Sequence, residues 1–172
     1  VAIYALGELV PRIAESAYVH PEAVVIGDVA IGADSTIWPG AVLRGDYSHI
    51  EIGARTSIQD GTIVHVGHDV PTVIGDDCVV GHNAYLEGCV IEDHVLVASM
   101  AVVLTRVIAR SRCVIAAGAM VQVGTEIPSY AMALGVPAKI RLDAAKSDYV
   151  DRSVATYVAN GQLYKNELRR LD

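Results

Sequence analysis

Two histidines and a glutamate, His65, His82 and Glu87, fall within the stretch Ile58–Glu92. Imidazole nitrogens and a carboxylate oxygen are the donor types that hold a divalent transition metal, and a site of two histidines and one glutamate is chemically sound. Arg44 and Asp60 accompany them as a candidate ion pair. A lone histidine on a surface is ordinarily just a polar residue. What raises these above that reading is the register in which the rest of the chain sets them.

That register is a period of six. Aliphatic residues mark Val19, Val25, Ile31, Ile37 and Leu43, then, after a three-residue slip around His49–Glu51, Ile52, Ile58 and Val64. A four-residue insertion within Gly67–Thr72 moves the next marks to Ile74, Val80 and Leu86. One residue is then dropped, and the count runs on through Ile91, Val97, Val103, Ala109, Ile115 and Val121. Mostly small residues stand four places after each mark. A hexapeptide cannot bury its apolar face alone but can when stacked on others, so three per coil make a triangular parallel β-helix. The thin interior explains why the chain has no Phe. The expected fold is therefore all-β, with residues 1–142 as the coil, a short leader and a strap over 126–142. Residues 143–172 change to helical spacing: Tyr149/Val150, Val154, Tyr157/Val158, Tyr164, Leu168, Leu171. An amphipathic C-terminal helix packed on the prism is expected there, capped by Asp143 or Ser147, weakened or bent at Gly161, with Arg152, Lys165 and Arg169 on a solvated side.

Register converts to geometry. His65 and Glu87 are 22 positions apart; without the four inserted residues they are eighteen apart, which is one coil. Both follow their aliphatic mark by one place. Arg44 does the same, and without the insertion's counterpart, the slip, it lies one coil before His65. Arg44, His65 and Glu87 should form one column. His82 and Asp60 each lie two places after a mark and should form a second column on another side. In a threefold assembly one chain's first column would face the next chain's second, bringing two histidines and a carboxylate together at each interface, with Arg44 facing Asp60.

Composition narrows the partners. A net charge of −7 argues against nucleic acid and anionic membranes. No apolar run reaches the length of a membrane span. The start, VAIYALGELVPRI, lacks the pattern of a secretory signal, and three scattered cysteines, Cys78, Cys89 and Cys113, read as buried packing residues rather than a disulfide frame. A cytoplasmic protein is expected.

The segments LRGD (43–46), IGARTSIQDGTIVHV (52–66), PTVIGDDCVVGH (71–82), GCVI (88–91), VIAAGAMV (114–121) and LGVPAKIR (134–141) resemble the γ-class carbonic anhydrase family. The resemblance spans nearly the whole chain. It implies a left-handed parallel β-helix, a homotrimer with interfacial metal, and the reversible hydration of CO2 to bicarbonate. It also implies metal ligands at His65 and His82, an interface pair Arg44–Asp60, Gln59 beside the activated water, and Asp46 in the polar network. The family's third ligand is histidine; this sequence has Glu87 in its place. A second departure is Ala98-Ser99-Met100, where Gly-Met-Gly is common.

Three neutral imidazoles leave zinc its full double charge, which brings the pKa of bound water to about 7. A carboxylate ligand cancels one charge, so water activation should weaken while metal binding survives, with Arg44 either offsetting that charge or pairing with Glu87. Zinc is the expected metal, with iron or cobalt as alternatives. His68, in the inserted loop, is either a proton shuttle or an ordinary exposed histidine. Two rival functions share the fold. One is a catalytically silent scaffold or assembly protein; the other is a hexapeptide acyltransferase using acyl-CoA, against which the RGD and QDG motifs speak.

Overall fold

The computed structural model describes residues 2–145 and 148–172. Most strands are two or three residues long and are joined by turns, as a six-residue period dictates. Each pairs in parallel with a strand one coil away. Ile37 lies on Ile58, Ile58 on Val80, Val80 on Val97, Val97 on Ile115, and Ile115 on Ala133. This stacking makes a left-handed parallel β-helix of hexapeptide repeats. One face is an 8-stranded sheet. The other two are halves of a 12-stranded sheet, joined where the long strands Val24–Ile31 and Val42–Ile52 turn a corner.

The core is the column of marks. From Val25 to Val121 every mark is at most 3% exposed. Narrow corners hold Ala23, Ala41, Ala84, Ala101 and Ala119. Two hydroxyls buried in the coil are satisfied locally: Ser35 Oγ donates to the Gly53 carbonyl (2.6 Å) and Thr62 Oγ1 to that of Gly81 (2.9 Å), which spares each the cost of an unpaired polar group. All three cysteines are free and buried, and burial pushes each thiol up to about 12. They stay protonated and pack as small apolar groups.

The coil is longer than the sequence period suggests. At the N-terminal end the leader joins it, with Ala2–Tyr4 and Arg12–Ile13 pairing with Val24–Ile31. At the other end Ile127 and Ala133, both fully buried, continue the six-residue count. Only Lys139–Arg141 turns back, antiparallel on Met132–Leu134. The winding therefore runs on through Ile127 and Ala133, and the chain leaves it only in the later part of 126–142.

The outer corner carries a charged ladder of residues with positive φ: Asp34, Arg55, Asp77, His94 and Arg112. Arg55 binds Asp77 with two hydrogen bonds of 2.7 Å. The Arg55 hydrogen bond, opposed by burial, holds the Asp77 carboxyl below its usual range. A carboxyl lowered in the folded state contributes stability above its unfolded pKa of about 3.9 and loses it as pH falls through the folded value. Melting temperatures measured from pH 5 down to pH 2 should fall steadily, and Asp77→Asn should fall less steeply across that window.

Helix α1 (Asp148–Glu167) lies on the 8-stranded face, burying Val150, Val154 and Gly161. Its Tyr157 and Tyr164 meet Trp38 with ring centroids 6.0 and 5.0 Å apart, and Tyr18 closes the cluster. Asp151 takes His94 Nδ1 at 3.1 Å. The helix begins later than Asp143, which sits in a turn with φ of 51°; Ser147 lies outside the described residues. Arg152, Lys165 and Arg169 are exposed, and Lys165 Nζ also donates to the Glu15 carbonyl at 2.5 Å. Tyr149 is exposed, and Leu168 and Leu171 are exposed beyond the helix end.

Gly161 is a contact, not a bend. A Cβ there would come within 2.5 Å of Thr36 Cγ2, and Thr36 is fixed by hydrogen bonds with Ser57 and Trp38. Gly161→Ala should lower stability by about 1–3 kcal/mol in urea unfolding, despite alanine's better helix propensity. Among the described residues no helix is long and apolar enough to cross a membrane.

Candidate metal centre

The 42–52 strand creates the site's floor. Gly27 pairs with Gly45, and the next pairing is Val29 with Ile50. One residue, Asp28, thus faces four, Asp46–His49, and the surplus bulges outward. Glycine is required on both sides. A Cβ on Gly45 would lie 2.4 Å from the Asp28 carbonyl oxygen, and one on Gly27, whose φ is +79°, would lie 2.2 Å from that of Gly45. The slip in the period is this bulge.

The bulge sets Asp46 between Arg44 and His65. The Arg44 guanidinium donates to Asp46 Oδ2, and His65 Nε2 lies 3.0 Å from Asp46 Oδ1. Burial opposes ionisation of Asp46, but the His65 hydrogen bond and the Arg44 charge outweigh it and hold the carboxyl below its usual range. The strands register Arg44 beside His65 and His65 beside Glu87, so the first column stands on one face as counted. Arg44, however, spends its charge on Asp46 rather than on Glu87 or, within the chain, Asp60.

Glu87 has a different partner. The Tyr85 hydroxyl, two residues back on the same outward side, donates to Glu87 Oε2. Burial, and then that bond to a carboxylate, push the Tyr85 phenol up to about 12. His65 and Glu87 are each half-buried, at the edge of a surface that is open in the single chain.

The second column lies on another face. His82 and Asp60 follow the paired strands Val79–Val80 and Ser57–Ile58, and His82 Nδ1 lies 2.9 Å from Asp60 Oδ2. Both side chains are 49% exposed. Beside them Gln59 is only 4% exposed, and its amide hydrogen-bonds the Tyr157 hydroxyl of α1. It ties the helix to the coil. Met100 borders this edge too: its amide donates to the His82 carbonyl, its φ is +61°, and its side chain is 67% exposed rather than packed in the chain's own core. Gly40, Gly61 and Gly118 occupy the same kind of corner at positive φ. Met100→Gly should raise thermal stability by about 0.5–1 kcal/mol, because glycine adopts that conformation without strain.

Whether these donors suit a metal can be judged from the histidines' partners. A carboxylate only accepts, so in each neutral imidazole the nitrogen facing it carries the proton. That leaves His65 Nδ1 and His82 Nε2 with free lone pairs, in the carboxylate-oriented arrangement typical of metal-binding histidine. Each histidine fits a ligand's role. Yet among the described residues of one chain no group of three or more His, Cys, Asp or Glu side chains could hold a metal. The set closes only if a second chain brings its His82 face to the His65–Glu87 face.

Two tyrosines complete the neighbourhood, and sequence reasoning passed over both. Tyr47 stacks on His68 (4.9 Å between centroids, 17° between planes) and meets His65 edge-on at 6.3 Å. It thereby bridges the inserted loop to the first column. Its signal was in the sequence: four places after Leu43, where small residues recur, stands a large aromatic. Tyr85 gave a fainter signal, the one hydroxyl among the apolar residues that stand one place before the marks on its face, and its partner could not be read from spacing.

The chain matches the model of the bacterial transferase hexapeptide repeats at residues 11–45 and 71–105. It is 40% identical over 165 residues to the mitochondrial γ carbonic anhydrase 2 of Arabidopsis thaliana, covering 91% of this chain and 59% of that protein. The chain thus spans under two thirds of that relative's length. It is 36% identical to the carnitine operon protein CaiE of a Proteus strain, covering 86% of this chain and 75% of CaiE. The crystal structure of a hexapeptide transferase family protein from Anaplasma phagocytophilum superposes with a TM-score of 0.91 at 32% identity, over 95% of this chain and 98% of that one.

Proposed function

The chain belongs to the γ-carbonic-anhydrase-like hexapeptide-repeat proteins, and on that premise we propose that it is a trimeric metalloprotein hydrating CO2 at sites shared between neighbouring chains. The observation that carries the reading is the pair of carboxylate-oriented histidines on two different faces, with Glu87 registered beside one of them. His65 and Glu87 of one chain and His82 of the next would hold the metal. Zinc is favoured by this donor set, with iron or cobalt chemically admissible. Such an ion supplies a Lewis acid that makes water acidic enough to serve as a nucleophile near neutral pH.

The chain's own residues do the rest. Asp46 orients His65 and is itself kept ionised by Arg44. Asp60 orients His82, and Arg44 and Asp60 are the groups that would meet across the interface, each then shared between an internal partner and the neighbour. Gln59 stands next to Asp60, and its amide would serve the reacting water only through the end that Tyr157 leaves free. The Tyr47–His68 stack lies against the edge of His65 and would place an exposed imidazole where protons could pass to solvent.

A second reading has a specific observation behind it: the Anaplasma relative is named as a hexapeptide transferase. A transferase would bind coenzyme A saturably and need no metal. A silent scaffold would assemble but bind neither. Purification without chelators or a histidine tag, followed by elemental analysis and native mass measurement, separates these. The proposal expects a trimer with about one zinc or iron per chain, and CO2 hydration that a strong chelator abolishes. A trimer that takes up no metal even after incubation with zinc would sink the enzyme reading, and coenzyme A binding would replace it.

A further inference from the structure

The outward column that contains Tyr85 is otherwise apolar. Reading across the paired coils, its members are Val24, Val42, Ile63, Tyr85, Val102 and Met120. The single hydroxyl stands in the coil whose next outward residue is Glu87, and it is bonded to that carboxylate. The neighbouring column explains the pairing. An imidazole beside His65 would have had no use for a donor such as the Tyr85 hydroxyl, because the ring nitrogen that binds a metal presents a single lone pair. A carboxylate presents two oxygens on a flexible stem and can turn to bind through either, through both, or toward Arg44 two coils away. With Oε2 taken by the phenol, Oε1 is the oxygen left for an ion, on a residue registered beside His65.

We propose that Tyr85 is a positioning residue that makes Glu87 a one-oxygen metal ligand, the device by which this chain keeps a metal site without a third histidine. This rests on the metal reading of the site. The hydroxyl donates to the oxygen that does not bind the metal and so holds the carboxylate in one orientation, with the other oxygen free for the ion. The principle is that groups behind a ligand set its orientation and basicity, and their loss typically weakens metal binding by about 10–100-fold.

The test is zinc affinity, read by competition with a chromophoric chelator on the assembled protein, for wild type, Tyr85→Phe, Glu87→Gln, Glu87→His and the double variant Tyr85→Phe/Glu87→His. Phenylalanine keeps the ring in its column and removes only the hydroxyl. The expected result is that Tyr85→Phe weakens zinc by about tenfold or more in the Glu87 protein but by less than about twofold in the Glu87→His protein. Equal weakening in both backgrounds would mean a general packing effect and would overturn the inference. So would wild-type affinity in Tyr85→Phe alongside lost affinity in Glu87→Gln, a result that leaves the metal site standing. Absence of zinc binding by the wild type would overturn both.

Discussion

Gly45→Ala should destabilise the protein by about 3 kcal/mol or more and cripple zinc binding in whatever fraction folds. The added methyl would sit 2.4 Å from a backbone oxygen, that of Asp28, and no side chain can move aside to accommodate it. Either the two strands part or the bulge rebuilds, and both outcomes exceed the usual range for overpacking. Because the bulge carries Asp46, a rebuilt bulge also takes the carboxylate from His65. The control is Gly118→Ala, where a Cβ meets nothing within 4 Å and only the φ of +65° is strained, so a loss of about 1 kcal/mol is expected. Urea unfolding compares the two directly. Equal, small losses would mean that the close approach at Gly27 and Gly45 is not a tight constraint.

The second large effect concerns Glu87. Glu87→His should raise CO2 hydration at pH 7 by roughly 10- to 100-fold. Exchanging a carboxylate for a neutral imidazole restores one unit of charge to the ligand set. A change of one to two units in the acidity of the reacting water corresponds to about 1.4–2.8 kcal/mol, well within what a unit charge at ligand distance provides. The rate–pH profile should shift to lower pH by the same amount. Stopped-flow hydration assays from pH 6 to 9 read both quantities. A faster rate with an unmoved profile would point to better metal retention instead of a more acidic water, and an unchanged rate and profile would argue that Glu87 does not touch the ion.

Much of this was legible from residue spacing because a β-helix repeats one rule. Burial of the marks and the pairing of Arg44, His65 and Glu87 follow from counting in sixes, once the slip and the insertion are removed. The count misled at the ends. Pro128 suggested a strap departing from 126, yet Ile127 and Ala133 stay buried in register, and the chain turns back only after Pro137, at Lys139–Arg141. Gly161 looked like a flaw in the helix because propensity ignores what the helix touches; its reason is Thr36, far away in sequence. At the site, periodicity placed columns but said nothing of hydrogen bonds. Hence Arg44 turning to Asp46, Gln59 lying under Tyr157 and Tyr85 holding Glu87 all depended on side-chain directions that only the folded chain defines.

The central claim is that one metal site is built from two chains, and mixing tests it most directly. His65→Ala and His82→Ala proteins, each purified alone, should assemble but bind no zinc, since every interface lacks one ligand. Unfolded together at equal concentration and refolded, they form mixed trimers in which each heterologous assembly contains one interface with both histidines intact. The account expects zinc to return to about a quarter of the wild-type content under random mixing, with hydration activity returning in proportion. If the mixture stays metal-free while native mass confirms mixed trimers, or if either single variant alone binds zinc as the wild type does, the shared site does not exist.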